Sequence, residues 1–129
     1  MHVPPGFTQV FPYIFAPDAA KYLSFLSEGL GGEIVSVHAA PDGKVANAHV
    51  RFGDTTIMVS EANQTLGPMK ATYYIYVDDA DAAMACAVKA GGVQRGQVAD
   101  MPYGERQGGV VDPAGNIWWI SQRLSPGPY

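Results

Sequence analysis

A chain of 129 residues, 47% hydrophobic and 16% charged, is long enough to bury a core and too apolar to remain disordered. Its formal net charge is −4 and its eight Lys and Arg are scattered singly, so no basic stripe invites a nucleic acid. No apolar run reaches the roughly eighteen residues of a membrane span and no secretion signal is visible; with one cysteine, Cys86, a reduced cytoplasmic setting is the default expectation.

Met1 to Gly6 carries two prolines and a glycine and reads as a loose arm, His2 included. Phe7 to Ala16 reads as a strand, and Pro12 within it assigns that strand to a sheet edge, or to a place where the amide at that point faces away from a neighbour. Asp18 is placed to cap a helix over Ala19–Glu28, with Tyr22, Leu23, Phe25 and Leu26 on one face and Gly29, Gly31 and Gly32 ending it. Strands follow at Glu33–Ala39, Val45–Phe52 and Thr55–Ser60, joined by the turns Pro41-Asp42-Gly43-Lys44 and Gly53-Asp54. The polar stretch up to Lys70 has linker composition.

The order then repeats. Ala71–Val77 reads as a strand, Asp78 or Asp79 caps a helix running to Ala90, and Gly91-Gly92 stops it. Strands are expected near Val93–Val98, Gln107–Val111 and Ile117–Ser121, the last two around the tight turn Asp112-Pro113-Ala114-Gly115. Alternation on a strand sends the rings of Trp118 and Trp119 to opposite faces. Counting aligns the halves: Gly31-Gly32 meets Gly91-Gly92 at a shift of 60, and Tyr13-Ile14-Phe15 meets Tyr74-Ile75-Tyr76 at a shift of 61. Two βαβββ modules of α+β class are predicted, about 7–61 and 71–124 with a linker over 62–70, in a single domain whose curved mixed sheets enclose a cleft.

The stretches PYIFAPDAAKYLSFLSEGLGGE, PDGKVANAHVRFGDTTIMVS, YIYVDDADAAMACAVKAGG and YGERQGGVVDPAGNIWWIS together resemble the vicinal oxygen chelate superfamily. That group holds glyoxalase I, bleomycin-type resistance proteins and extradiol dioxygenases; the chain is most similar to its small glyoxalase-like, demethylubiquinone-methyltransferase-like branch. The resemblance implies the glyoxalase/bleomycin-resistance/dioxygenase fold, a homodimer and a small-molecule pocket in the curved sheets. Metal-using members take four ligands from the first and last strands of each half. Carried over, those positions fall near Phe11, Met58, Thr72 and Trp119, none of which is a donor for a divalent ion. No metal and no other cofactor is therefore expected, a divalent metal being the alternative.

The same carry-over makes Phe11 and Trp119 walls of a ligand site with Met58 as filler; Tyr13, Thr72, Tyr74, Asn47 and His49 complete the ligand-binding set with Arg106. Relatives carry His where Asn47 stands and Glu where His49 stands. His49 reads either as a base or donor at the pocket or as a strand histidine on an outer face. His38 on the preceding strand, His49 and Glu61 form a conceivable adventitious metal set. Arg106 reads either as a forked grip on an anionic ligand or as a clamp onto backbone carbonyls or Asp112, with Glu105 a solvated turn residue. Cys86 is expected to be a buried, inert thiol. No nucleophile elbow, Walker loop, dinucleotide fingerprint or zinc motif occurs.

The expected function is metal-free binding of a small aromatic or amphipathic molecule. A glyoxalase-like lyase, isomerase or dioxygenase-type enzyme is one alternative, with His49, Tyr74 or Arg106 as catalytic candidates; a non-catalytic dimeric regulatory module is another.

Overall fold

The computed structural model describes residues 1–128, which form two compact units, Met1–Met69 and the chain from Lys70 onward. The first unit contains β1 (Tyr13–Ala16), α1 (Ala19–Ser24), β2 (Glu33–Ala39), β3 (Val45–Phe52) and β4 (Thr55–Glu61). The second contains β5 (Thr72–Tyr76), α2 (Ala80–Lys89), β6 (Val93–Met101), β7 (Glu105–Val111) and β8 (Ile117–Arg123). Each is the βαβββ module that the repeat predicts, folded as one four-stranded mixed sheet with a helix on one face. The strand orders are β1-β4-β3-β2 and β5-β8-β7-β6, with only the β1–β4 and β5–β8 pairs parallel.

β1 is shorter than the predicted strand. Pro12 has no amide hydrogen, and the ladder begins where its carbonyl accepts from Met58 N at 3.1 Å. Phe11 therefore precedes the strand instead of standing on it. The edge position expected from Pro12 is observed. β1 buries Ile14 and Ala16 toward α1, where Ala48, Val50, Ile57 and Val59 join them. The opposite alternation leaves Tyr13 and Phe15 on the other face, turned away from the helix and called here the open face.

The first helix also differs from expectation. It is α-helical only to Ser24 and widens into a π turn over Phe25–Gly29. Tyr22, Leu23, Phe25 and Leu26 cover more of the circumference than one α-helical stripe, and the wider turn re-phases the second pair. All four are buried, each stabilising the unit by about 1.5–3 kcal/mol. Gly31, at φ 79°, takes the left-handed conformation that ends the helix, and Gly32 N returns to Leu26 O at 2.8 Å.

Both units hold the start of the helix with the same device, which no local capping rule contains. At the end of β4, the Glu61 carboxylate accepts from Asp18 N at 2.8 Å and Ala19 N at 3.0 Å. Sixty-one positions later, Gln122 Oε1 accepts from Ala80 N at 2.9 Å. Asp18 is the one non-glycine residue of positive φ among the described residues, and Glu61 ties its strained amide down. Asp79 caps α2 by accepting from Ala82 N at 3.1 Å.

In the second unit Ala80, Met84, Ala87, Val110, Trp118 and Ile120 form the core between sheet and helix. The Asp112 turn is as predicted: Gly115 N donates to Asp112 O at 3.0 Å, and Asp112 Oδ1 accepts from the Ala114 and Asn116 amides at 2.9 Å each. Two expectations are corrected. Cys86 is exposed, because α2 turns Ala80, Met84 and Ala87 toward the sheet and residue 86 lies off that stripe. Glu105 is fully buried, because β7 begins at it and the alternation points it onto the open face.

Candidate functional site

On the open face of the first unit the register joins Tyr13 to Met58 and Met58 to His49. Phe15 and Ser60 form the next rung. Asn47 is two residues from His49 on the same side of β3, so Tyr13, Asn47, His49 and Met58 share this face. The segment before β1 covers part of it. Phe7 stands edge-on to His49 at 5.2 Å and packs on Phe11 at 5.0 Å, while Thr56 Oγ1 donates to Gly6 O. His49 faces Ser36 across the ladder, and His38 faces Asn47. Glu61 is engaged at α1, so the conceivable His38–His49–Glu61 metal set is not assembled.

The uncovered end of that face is a cleft of about 640 Å³, lined by Tyr13, Phe15, Lys44, Ser60, Leu66 and their neighbours. Tyr13 and Phe15 are stacked, with centroids 4.6 Å apart and planes at 18°. A directed chain of hydrogen bonds fixes the Tyr13 ring. Asn47 Nδ2 donates to Tyr13 Oη at 3.3 Å, Tyr13 Oη lies 2.8 Å from Ser60 Oγ, and Ser60 Oγ donates to Ala46 O at 2.7 Å. Because the single serine hydrogen goes to the carbonyl, the Tyr13 hydroxyl is the donor to Ser60.

The second unit repeats the register with different chemistry. Tyr74 pairs with Trp119, and Trp119 with Gly109, the position that His49 fills in the first unit. The six-membered ring of Trp119 lies over Gly109 so closely that a Cβ there would come within 2.9 Å of it. Glycine is what lets the indole lie flat on the sheet. Thr72 and Tyr76 flank Tyr74 on the same face.

Beside them is a polar cluster that sequence reasoning missed. The Tyr74 hydroxyl donates to Glu105 Oε1 at 2.6 Å, and Gln107 Nε2 donates to the Tyr74 hydroxyl and to Ser121 Oγ, the latter at 2.7 Å. The Tyr103 hydroxyl donates to Gln107 Oε1 at 2.6 Å, and Arg123 Nη1 approaches Glu105 Oε2 at 3.5 Å. Burial of the hydroxyl end, then the bond to Glu105, raises the Tyr74 pKa above its ordinary value, so the phenol stays a donor. The available signal was the Glu105-x-Gln107 spacing, which puts both on one face once β7 starts at residue 105.

Arg106 lies on the other side of β7, beside α2. Its Nε donates to Asp81 Oδ2 at 2.8 Å, its Nη2 to Asp81 Oδ1 at 3.2 Å and its Nη1 to Asp100 Oδ1 at 3.0 Å. The partners of this clamp are two carboxylates, not the Asp112 or backbone carbonyls anticipated. The Arg106 hydrogen bond holds the Asp81 carboxyl below its ordinary value of 3.8. A depressed folded pKa gives stability that is complete above the unfolded value and lost as pH falls through the folded one. Urea midpoints measured from about pH 6 to about pH 3 are expected to fall more steeply for wild type than for Arg106→Gln. Parallel profiles would show that the pair contributes nothing.

The positions expected to hold a family metal carry no set of donors. Met58 is bracketed by Tyr13 and His49, Trp119 by Tyr74 and Gly109, and Phe11 by Phe7. Among the described residues no three His, Cys, Asp or Glu side chains come together as a metal site. The residues present do not fit the ion.

Two βαβββ modules with open aromatic faces define a class of protein that a family comparison names. The model described as Glyoxalase/Bleomycin resistance protein/Dioxygenase superfamily matches residues 6–120, and the chain belongs to that superfamily. It is 27% identical over 122 residues to an uncharacterised protein of Mycobacterium bovis, spanning 86% of this chain and 80% of that one. Among solved structures it is similar to TioX from Micromonospora sp. ML1, with a TM-score of 0.76 and 21% identity over 91% of this chain and 99% of that one. It is also similar to the bleomycin-binding protein of Streptomyces verticillus, solved with copper(II)-bleomycin. There the TM-score is 0.58, with 26% identity over 97% of this chain and 100% of that one. No helix among the described residues is long and apolar enough to cross a membrane.

Proposed function

We propose that this protein binds a small aromatic or amphipathic molecule on its open sheet faces, without a metal. The observation that carries the reading is the chemistry at the superfamily's ligand positions. Phe11, Met58, Thr72 and Trp119 offer contact area and no set of ion donors. Tyr13, Asn47, Tyr74 and His49 supply hydrogen-bonding groups beside them. The likeness to a bleomycin-binding protein supports the same reading. The proposal includes the homodimer that the resemblance implies, which sedimentation equilibrium tests.

The deciding experiment is a thermal-shift titration of EDTA-treated protein with metal-free bleomycin and other planar aromatic compounds. A guest at a hundredfold excess over its Kd stabilises the native state by about 2.7 kcal/mol. The expected result is a saturable shift that added Zn, Ni, Fe or Mn leaves unchanged. A shift that needs added metal, or no shift with any compound, overturns the reading.

One observation favours a catalytic alternative in the glyoxalase-like group. The buried Glu105 and the Tyr74 hydroxyl form a proton-holding pair on the open face. Turnover of aldehyde–thiol adducts that disappears in Tyr74→Phe while folding is retained would establish that alternative.

A further inference from the structure

Resting on the proposed binding of aromatic molecules, we infer that the cleft of the first unit takes a planar aromatic anion, its ring on Phe15 and its charge at Lys44. The floor of the cleft is the Tyr13–Phe15 stack. Two nearly parallel stacked rings offer an outer face onto which a third flat ring can be added, and offset stacking is worth about 0.5–1.5 kcal/mol beyond the area covered. The corresponding pair in the second unit is not prepared in this way. Tyr74 is drawn to Glu105, and its plane lies at 50° to that of Tyr76. Stacking is thus a property of the first cleft and not of the repeat.

The walls are built before any guest arrives. On one side the chain after β4 folds back, with Asn63 Oδ1 accepting from the Thr65 and Leu66 amides at 2.9 and 2.7 Å and Asn63 N donating to Leu66 O at 3.0 Å. That places the exposed Leu66 side chain as an apolar lip. On the other side the β2–β3 turn is closed by Ala40 N donating to Lys44 O at 2.8 Å and Lys44 N to Asp42 Oδ1 at 2.9 Å. These bonds use the Lys44 backbone and leave its side chain to line the cleft.

Charge then selects the guest. Three ionisable side chains line the cleft besides Tyr13: Asp42, Lys44 and Glu61. Glu61 spends both oxygens on the amides at the start of α1, and Asp42 Oδ1 is taken by the turn. The Lys44 ammonium makes no ion pair among the described residues. The hydroxyl donors on the floor are also committed, Tyr13 to Ser60 and Ser60 to Ala46. The side-chain amides of Asn63 and Gln64 line the cleft as well, but among its described lining residues the one cation is the Lys44 ammonium, and a carboxylate, sulfonate or phenolate on the ring satisfies it.

Three probes of one ring test this by calorimetry: 2-naphthoate, neutral 2-naphthamide and the 2-naphthylmethylammonium cation. The naphthoate is expected to bind about fivefold tighter than the amide, the increment of one partly exposed charge contact, and the cation weakest. Lys44→Gln is expected to bring naphthoate down to the amide without altering the fold, since only the backbone of residue 44 builds the turn. Phe15→Ala is expected to weaken all three by about tenfold. Equal binding of the three, a preference for the cation, or a naphthoate preference that survives Lys44→Gln overturns this inference while leaving the aromatic-binding reading standing. Binding untouched by Phe15→Ala overturns it as well. Failure of every naphthalene with success of bleomycin rejects this cleft alone; failure of both rejects the two together.

Discussion

Trp118→Ala is expected to lower unfolding free energy by about 3–5 kcal/mol, the cost of emptying a large core site. The ring is buried between the sheet and α2, lies 4.7 Å from Tyr73, and donates from Nε1 to Asp112 Oδ2 at 2.8 Å. The same carboxylate organises the Asp112 turn through its other oxygen, so loss of the indole also loosens the β7–β8 connection. Trp118→Phe, which keeps most of the volume and removes the donor, is expected to cost about 1–3 kcal/mol. Trp119→Ala is the control. That ring is partly exposed on the open face, so its removal is expected to cost about 1–2 kcal/mol and to act on ligand binding instead. Urea denaturation followed by circular dichroism separates the three. Equal losses at 118 and 119 would mean that the two faces have been assigned wrongly.

Glu105→Ala is expected to be the other severe substitution, at about 3 kcal/mol. Removing one member of a buried, charge-assisted cluster strands its partners. The carboxylate receives the Tyr74 hydroxyl and faces Arg123, and the side chain is wholly buried. The loss falls at the low end for a buried pair because Arg123 keeps a quarter of its side chain in solvent. Glu105→Gln still accepts from Tyr74 and is expected to cost about 1–2 kcal/mol. It also removes a negative charge that opposes ionisation of the phenol, so the Tyr74 titration is expected to move down toward its ordinary value. A Glu105→Ala protein within half a kcal/mol of wild type, about the scatter of ordinary surface changes, would show that the cluster is not structural.

These two residues illustrate what could be read from the chain and what could not. The alternation of Trp118 and Trp119 follows from strand geometry, so their separation onto opposite faces was visible in advance. Which face was the core was not, because that depends on where α2 lies. Glu105 sits in a sequence that reads as a turn, Tyr103-Gly104-Glu105-Arg106, and its burial follows from β7 starting two residues earlier than the apolar run suggests. Its partner Tyr74 is thirty-one residues away, and no local rule joins them. The same holds for Arg106, whose clamp uses Asp81 on α2 and Asp100 on β6. His38 and His49 lie on neighbouring strands, yet the register sets Ser36 opposite His49 and Asn47 opposite His38.

The sequence by itself determined the repeat, the strand–helix–strand order of each half, the helix stops at Gly31-Gly32 and Gly91-Gly92, and the Asp112 turn. All of these rest on backbone preferences acting over a few residues, together with periodicity. That Phe11, Met58, Thr72 and Trp119 are not donors for a divalent ion is likewise a statement about residue identity. Only the tertiary structure decided which side chains share a face: Tyr13 with Ser60 and Asn47, Tyr74 with Glu105 and Gln107, Trp119 flat on Gly109. The reason is that strand register couples residues from ten to forty-seven positions apart, and a register is fixed by the packing of the whole sheet against its helix, not by the strand alone.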